Sequence, residues 1–263
     1  MQSKIKIAFF DIDGTLVQFG KKIPSEKIVY ALNELKKKGI LICIATGRTS
    51  LMLPKFEKIK FDVYITFNGS FCFNDKEIIS KSPIPKKDVL QILNNSKRMN
   101  RRMSISNEKY HVSNGEEEIL ETYFSFANAK NIVVDDFENR CNNDDIYQIN
   151  MGGVKSEYDD ILKGTTGSEI TAWWDKAVDI IPSSSGKGNA VNNILAYYGF
   201  SKDESIAFGD GNNDIEMLKA VGTGVAMGNS NNNVKAAADV VCKNVEDDGI
   251  YYYLVENGII DQQ

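Results

Sequence analysis

The feature that most restricts this chain is an apolar run that ends abruptly in acid. Residues 5–16 read Ile5-Lys6-Ile7-Ala8-Phe9-Phe10-Asp11-Ile12-Asp13-Gly14-Thr15-Leu16. The run over 5–10 predicts a strand buried on both faces, the habit of a parallel sheet covered by helices. Side chains at i and i+2 of a strand point the same way, so Asp11 and Asp13 leave the carboxyl end together. That edge is where open α/β sheets hold their ligands. Two carboxylates so close resist ionising together unless a cation sits between them. Gly14 permits a tight turn, and Thr15 can hydrogen-bond the local backbone. D-x-D-G also opens calcium loops, but such a loop needs Glu at its twelfth position. Counting from Asp11, that position is Lys22, which excludes the calcium loop.

The rest of the composition narrows the chemistry. Lys and Arg number 31 against 36 Asp and Glu, a net charge of −5 that argues against a nucleic-acid surface. No apolar run reaches the length of a membrane span, and residues 1–6 do not read as a secretory signal. Cys43, Cys72, Cys141 and Cys242 are scattered without a C-x-x-C pair, so a reducing cytoplasmic location is expected, without disulfides or a cysteine metal site. His111 is the only histidine, which rules out multi-histidine metal sites. It lies in an alternating stretch with no motif near it and reads as structural.

Along the chain, apolar spacing predicts a helix over 25–38 and a second buried strand over 40–45, closed by Thr46-Gly47-Arg48. A crossover of this length makes the two strands parallel, so Thr46 reaches the same edge as Asp11. A third strand over 62–67 ends at Asn68-Gly69-Ser70, and a hairpin over 71–79 turns at Asn74-Asp75. Composition then shifts. Helices are expected over 86–99, 116–129 and 156–163, with strands over 102–106, 110–113, 145–151, 169–174 and 177–181. Hairpin strands with helices between them describe an α+β layer distinct from the βαβ part. The βαβ pattern resumes with a helix from Lys187 and a strand over 205–208 ending in Gly209-Asp210-Gly211-Asn212-Asn213-Asp214. A helix over 215–220, a strand over 224–227, a helix over 232–238, a strand over 239–242 and a helix over 249–256 complete the chain. The Tyr251-Tyr252-Tyr253 cluster reads as packing.

Rival motifs fail on spacing. Four residues separate Cys43 from Arg48, one short of a cysteine-phosphatase loop, and Cys43 sits mid-strand, so it reads as core. Gly186-Lys187 is followed by Gly188, without the Ser or Thr of a P-loop. What remains is four motifs at one sheet edge, a set suited to phosphoryl transfer through a carboxylate nucleophile. Lys187 and a helix N-terminus would offset the repulsion between that nucleophile and a phosphate dianion. The Asp11 and Asp210 carboxylates, with the backbone carbonyl of Asp13, form an oxygen-rich corner suited to Mg²⁺.

Asp11-Ile12-Asp13-Gly14-Thr15-Leu16, Ala45-Thr46-Gly47-Arg48, Gly186-Lys187-Gly188-Asn189-Ala190 and residues 209–218 together resemble the motifs of the Cof-type hydrolases of the haloacid dehalogenase superfamily. Residues 224–229 match a further family stretch, and Ser70 stands where Ala is common. The resemblance spans the chain and implies an α/β fold, a Rossmann-like doubly wound parallel sheet with an inserted α+β cap. It places the core at 1–81 and 185–263 and the cap at 82–184, because the stretch of about thirty residues between the first two motifs leaves no room for it. It further implies that Asp11 is the nucleophile and Asp13 the general acid/base. Ile12, Thr46, Gly47, Lys187 and Asn213 would bind the substrate phosphate. Asp11, Asp13 and Asp210 would hold Mg²⁺, with Asp214 supporting from behind. The cap would select the substrate, although Trp173, Trp174, His111 and Asp175 read as structural there. The expected activity is Mg²⁺-dependent hydrolysis of a small phosphorylated metabolite, sugar phosphates foremost, by a monomer or weak dimer with no nucleic-acid or membrane partner. The alternatives are a phosphomutase, against which Thr46-Gly47-Arg48 argues, and a degenerate binding module, which would normally lack an acidic motif residue.

Overall fold

The computed structural model describes residues 5–126, 129–172 and 174–263. Trp173, the start of the chain read for a leader, and the last turn of the helix expected over 116–129 involve residues outside that set. The chain opens with β1 (Ile7–Phe10), α1 (Glu26–Lys37), β2 (Leu41–Ala45), β3 (Val63–Thr66), β4 (Phe71–Asn74) and β5 (Ile78–Lys81). Its middle forms α2 (Lys86–Arg98), β6 (Met103–Ser106), β7 (His111–Ser113), α3 (Glu118–Phe126), α4 (Phe137–Asn143), β8 (Gln148–Gly152), α5 (Tyr158–Ile161), β9 (Ser168–Thr171) and β10 (Ala177–Pro182). It closes with α6 (Lys187–Tyr198), β11 (Ser205–Gly209), α7 (Ile215–Ala220), β12 (Thr223–Ala226), α8 (Asn232–Ala237), β13 (Val240–Val241) and α9 (Gly249–Glu256). Two compact units result. One takes the chain up to Thr46, Pro54–Ser80 and Lys187–Gln263; the other takes Gly47–Leu53 and Lys81–Gly186.

The first unit is built on an eight-stranded sheet in the order β13-β12-β11-β1-β2-β3-β4-β5. Strands β13 through β3 run parallel, and β4 turns antiparallel to β3. Crossover connections enforce this arrangement, since a parallel neighbour cannot be reached by a tight turn. They run through α1 between β1 and β2, α7 between β11 and β12, α8 between β12 and β13, and a long loop between β2 and β3. β1 lies between β11 and β2, with Ile7 opposite both Ser205 and Leu41. Its four residues are fully buried, as a strand covered on both faces requires. Ile7 and Phe9 pack in one cluster with Ala190, Val191 and Ile194 of α6, while Phe10 stacks on Phe208 at 5.3 Å between ring centroids. Helix α1 starts where Ser25 Oγ accepts the Ile28 N–H at 3.2 Å, a side-chain N-cap. It buries Ile28, Ala31, Leu32 and Leu35, the 3.6-residue stripe read from the sequence. Each of the buried Ile and Leu side chains contributes roughly 1.5–3 kcal/mol. The hairpin between β4 and β5 is set by Asn74, whose Oδ1 accepts the Lys76 and Glu77 N–H groups at 2.8 and 2.9 Å.

The second unit is a five-stranded antiparallel sheet, β7-β6-β8-β10-β9, with helices on it. One face is apolar: Met103, Ile105, Ile149, Met151, Val178 and Ile180 pack with Val89, Ile92, Phe137, Cys141 and Ile161. The alternate positions Ser104, Ser106, Asn150 and Asp179 are polar yet fully buried. Asp179 Oδ1 accepts from Asn150 Nδ2 at 2.8 Å and also takes the Tyr123 hydroxyl. His111 is structural: it is buried, its Nε2–H donates to Lys130 O at 2.7 Å, and its ring lies 4.1 Å from that of Phe124. Burial lowers its pKa below the ordinary histidine value, which keeps it neutral.

The pattern reading misses α4, because Phe137 and Cys141 are its only buried side chains and the rest of its seven residues are polar. The helix expected over 156–163 shrinks to Tyr158–Ile161, and the strand expected over 169–174 stops at Thr171. Cys43 is fully buried in β2, and burial raises its thiol pKa well above the usual range, so it is core. No helix among the described residues is long and apolar enough to cross a membrane.

Candidate active site

The acidic groups of the site, with Thr46, Lys187 and Asn213, lie in the first unit, around the carboxyl ends of its parallel strands. Asp11 continues β1 by one residue, its N–H donating to Phe208 O at 3.1 Å. The chain then folds over at Gly14, which adopts φ +89° and donates to Val17 O at 2.8 Å. Gly14 is needed on two counts: that φ disfavours a side chain, and a Cβ there would overlap the Asp210 carboxylate. Thr15, fully buried, donates its hydroxyl to Asp210 Oδ1 at 2.7 Å and so ties the first motif to the last.

Asp210 follows β11. Its N–H and that of Gly211 both donate to Asp214 Oδ2, at 3.0 and 2.9 Å, which closes the turn into α7. Lys187 is the first residue of α6 and is 1% exposed. A helix N-terminus disfavours a cation. Two carboxylates hold it there, with Nζ 2.7 Å from Asp11 Oδ1 and 2.5 Å from Asp214 Oδ1. Thr46 follows β2; its N–H donates to Ile65 O at 2.9 Å and its carbonyl accepts the Asn68 N–H at 3.1 Å. Asn68 Oδ1 in turn accepts from Asn213 Nδ2 at 3.1 Å.

The structure thus joins Asp11, Lys187 and Asp214 directly, Asp210 to Thr15, and Thr46 to Asn213 through Asn68. Carboxylate oxygens of Asp11, Asp210 and Asp214 lie within 4.8 Å of one another. Asp13 is not a member of that triad, and the sequence reading brings it to the metal through its backbone carbonyl. Asp214 is a member, although both of its oxygens already serve Lys187 and the two N–H groups. Ile12 keeps its side chain in the core, and Gly47 falls at the start of the second unit. The sequence reading assigns no role to two residues that brace the site. One is Asn68, visible only as part of a turn-forming Asn-Gly-Ser. The other is Asn229, whose Nδ2 donates to Gly14 O and whose Oδ1 accepts from Val245 N, each at 2.9 Å.

The sequence profile of the haloacid dehalogenase-like hydrolases matches residues 8–254. The chain belongs to this family. It is 28% identical to the 5-amino-6-(5-phospho-D-ribitylamino)uracil phosphatase YitU of Bacillus subtilis (strain 168), a match covering 97% of this chain and 98% of that one. It is 26% identical to the pyridoxal phosphate phosphatase YbhA of Escherichia coli (strain K12), over 95% and 97% of the two chains. Among solved structures, the subclass IIB sugar phosphatase BT4131 superposes with a TM-score of 0.89 at 31% identity, covering 97% of this chain and 100% of that one.

For a haloacid dehalogenase-like hydrolase the charge balance here is telling. Among the described residues, Asp11 and Asp214 meet the Lys187 ammonium, while Asp210 and Asp13 add further negative charge close by. Burial, followed by the neighbouring aspartates, pushes Asp11 well above the usual carboxylate range, against the pull of Lys187. Burial and Asp214 push Asp210 up to about 7, opposed by the Thr15 hydroxyl and Lys187. Burial alone would lower the Lys187 pKa, but Asp11 and Asp214 hold it above its ordinary value. An all-oxygen donor set with surplus negative charge fits a hard divalent cation.

The same imbalance makes a stability prediction. An unfolded aspartate titrates at ~3.9, so between about pH 4 and 7 Asp210 binds more proton in the folded metal-free protein than in the unfolded chain. Its contribution to stability therefore falls as pH rises through that window. Asp210→Asn removes this ionisation, so its thermal midpoint in EDTA should gain on the parent's steadily from pH 4 to 7. A gap that stays constant or narrows with pH would contradict the charge balance described.

Proposed function

We propose that the protein is a Mg²⁺-dependent phosphomonoesterase acting on a small phosphorylated metabolite, with sugar phosphates the leading class, through an aspartyl-phosphate on Asp11. The observation that carries this reading is the Asp11 carboxylate at the sheet edge, 2.7 Å from the buried Lys187 ammonium and grouped with Asp210 and Asp214. A carboxylate can attack a phosphate dianion only where fixed positive charge offsets their repulsion. Asp11, Asp210 and the Asp13 carbonyl would hold Mg²⁺, which neutralises charge on the phosphoryl oxygens.

In the first step an Asp11 oxygen attacks phosphorus while the bond to the ester oxygen breaks. Asp13 gives its proton to the departing alkoxide. In the second step water attacks the same phosphorus, its proton passes to Asp13, and the bond to Asp11 breaks, releasing inorganic phosphate. Lys187, Thr46 and Asn213 bind the phosphoryl oxygens, with the backbone at Ile12 and Gly47. Asp214 holds Lys187 and the Asp210–Gly211 turn in place. Phosphate release from a panel of phosphorylated metabolites is the direct test. Activity should disappear in excess EDTA and fall severely in Asp210→Ala. Full turnover after exhaustive dialysis against EDTA would refute the metal requirement, and an isomerised ester in place of free phosphate would show a phosphomutase.

The inserted unit, residues 82–184 on the sequence reading, serves as the cap that selects the substrate. None of the acidic and phosphate-binding motif residues lies in it. Binding energy from non-reacting parts of a substrate acts on orientation. Substitutions there should reorder substrates by kcat/KM and leave turnover of p-nitrophenyl phosphate within about tenfold of the parent. A folded variant from this stretch that is inert toward every substrate would contradict the division of labour. That BT4131 is a sugar phosphatase supports the sugar phosphate class for this chain.

A further inference from the structure

We infer that Asn68 is a positioning residue, one that sets the carboxamide of Asn213 for phosphate and locks it to the Thr46 loop. The inference rests on the phosphate-binding role proposed for Thr46 and Asn213. Asn68 follows β3 and is 2% exposed. Its backbone N–H donates to the Thr46 carbonyl at 3.1 Å, and its Oδ1 accepts from Asn213 Nδ2 at 3.1 Å. One residue therefore links two phosphate-binding positions that come from different motifs, one through its main chain and one through its side chain.

The backbone here is costly to hold. Phe67, Asn68 and Gly69 have φ of 52°, 52° and 103°, three consecutive residues in the region that side chains disfavour. Asn and Gly tolerate it, but a bulky residue such as Phe67 is an outlier. Such conformations persist where the surroundings over-determine them, and they concentrate at functional sites. The turn brings the Asn68 side chain to the loop before α7, where Asn213 lies. A phosphate oxygen only accepts hydrogen bonds, so an amide beside it must present N–H and keep its carbonyl away. Pinning Asn213 Nδ2 on Asn68 Oδ1 fixes which end of that amide is which. Without the pin the carboxamide is free to rotate and offer its oxygen, which repels phosphate.

Asn68→Gly isolates this role. Glycine adopts the left-handed conformation without strain and keeps the N–H that Thr46 accepts, while the side-chain amide that meets Asn213 is removed. Calorimetric titration of the Mg²⁺-loaded protein with inorganic phosphate reads the effect without turnover. We expect Asn68→Gly to weaken phosphate binding about five- to tenfold, the scale of one hydrogen bond that orients a charged ligand's partner. Asn213→Ala should weaken it at least as much. The Asn68→Gly, Asn213→Ala double variant should bind no more weakly than Asn213→Ala alone, because Asn68 acts through Asn213. Circular dichroism on each variant confirms the fold. Phosphate binding unchanged in Asn68→Gly, or effects that multiply in the double variant, would overturn the assignment. Binding unchanged in Asn213→Ala would overturn the phosphate role of Asn213 itself, and that of Asn68 with it.

Discussion

Asp11→Asn is expected to lose about 10⁴-fold or more in turnover of every phosphate ester, a scale typical of deleting a nucleophile. The amide is nearly isosteric, so the loss would reflect chemistry: the attacking oxygen carries no charge and no aspartyl-phosphate forms. Asp13→Asn should fail differently. On the proposed mechanism its carboxyl would protonate the leaving alkoxide and later deprotonate water, and the two duties would depend unequally on substrate. A nitrophenolate leaves without much protonation, so this variant should still be phosphorylated by p-nitrophenyl phosphate and then stall, since hydrolysis has lost its base. Rapid-quench kinetics should show a burst of nitrophenol followed by slow turnover, while an alkyl phosphate gives little of either. The backbone carbonyl at position 13 is unchanged by the substitution, so the metal site is kept. A burst from Asp11→Asn, or equal losses for both leaving groups in Asp13→Asn, would mean that the two roles are assigned wrongly.

Lys187→Met is expected to cost both function and stability. The parent ammonium is buried between Asp11 and Asp214, at 2.7 and 2.5 Å, and holds both at the sheet edge. Methionine matches the stem of the side chain but leaves two buried carboxylates facing each other, with Asp210 close by. Removing one member of a buried ion pair typically costs about 3–5 kcal/mol, because the remaining charge is left uncompensated. The loss should appear in urea denaturation at pH 7.5 as a lower midpoint with an unchanged slope. At pH 5 protonation of Asp11, which burial already holds well above the usual carboxylate range, relieves much of the cost, so the gap between variant and parent should shrink. Phosphate release should be undetectable even where the variant is fully folded. Equal midpoints for Lys187→Met and the parent at pH 7.5 would show that the pair does not carry this charge balance.

What the chain alone determined follows from periodicities and from the topology they force. Buried runs at 5–10, 40–45 and 205–208, separated by helical stretches, can be satisfied only by a parallel sheet with crossover helices. Such a sheet brings the ends of its strands to one edge. Asp11, Thr46 and Asp210 are therefore placed together by rule, and Lys187 joins them at a helix start. The polar face of the inserted sheet and helix α4 escaped the same reading. The first depends on which strands become neighbours, and the second has too few apolar residues to show a period. Tertiary structure alone decided the fine geometry: Gly14 against Asp210, Thr15 on Asp210, Asn229 on Gly14 and Asn68 on Asn213. These partners lie up to 215 residues apart in sequence, and a lone Thr or Asn carries no periodic mark. Each contact comes into being only once the order β11-β1-β2-β3 has set neighbouring strand ends side by side. The identity of the residues proposed to react was thus written locally, while their orientation and charge balance belong to the assembled sheet edge.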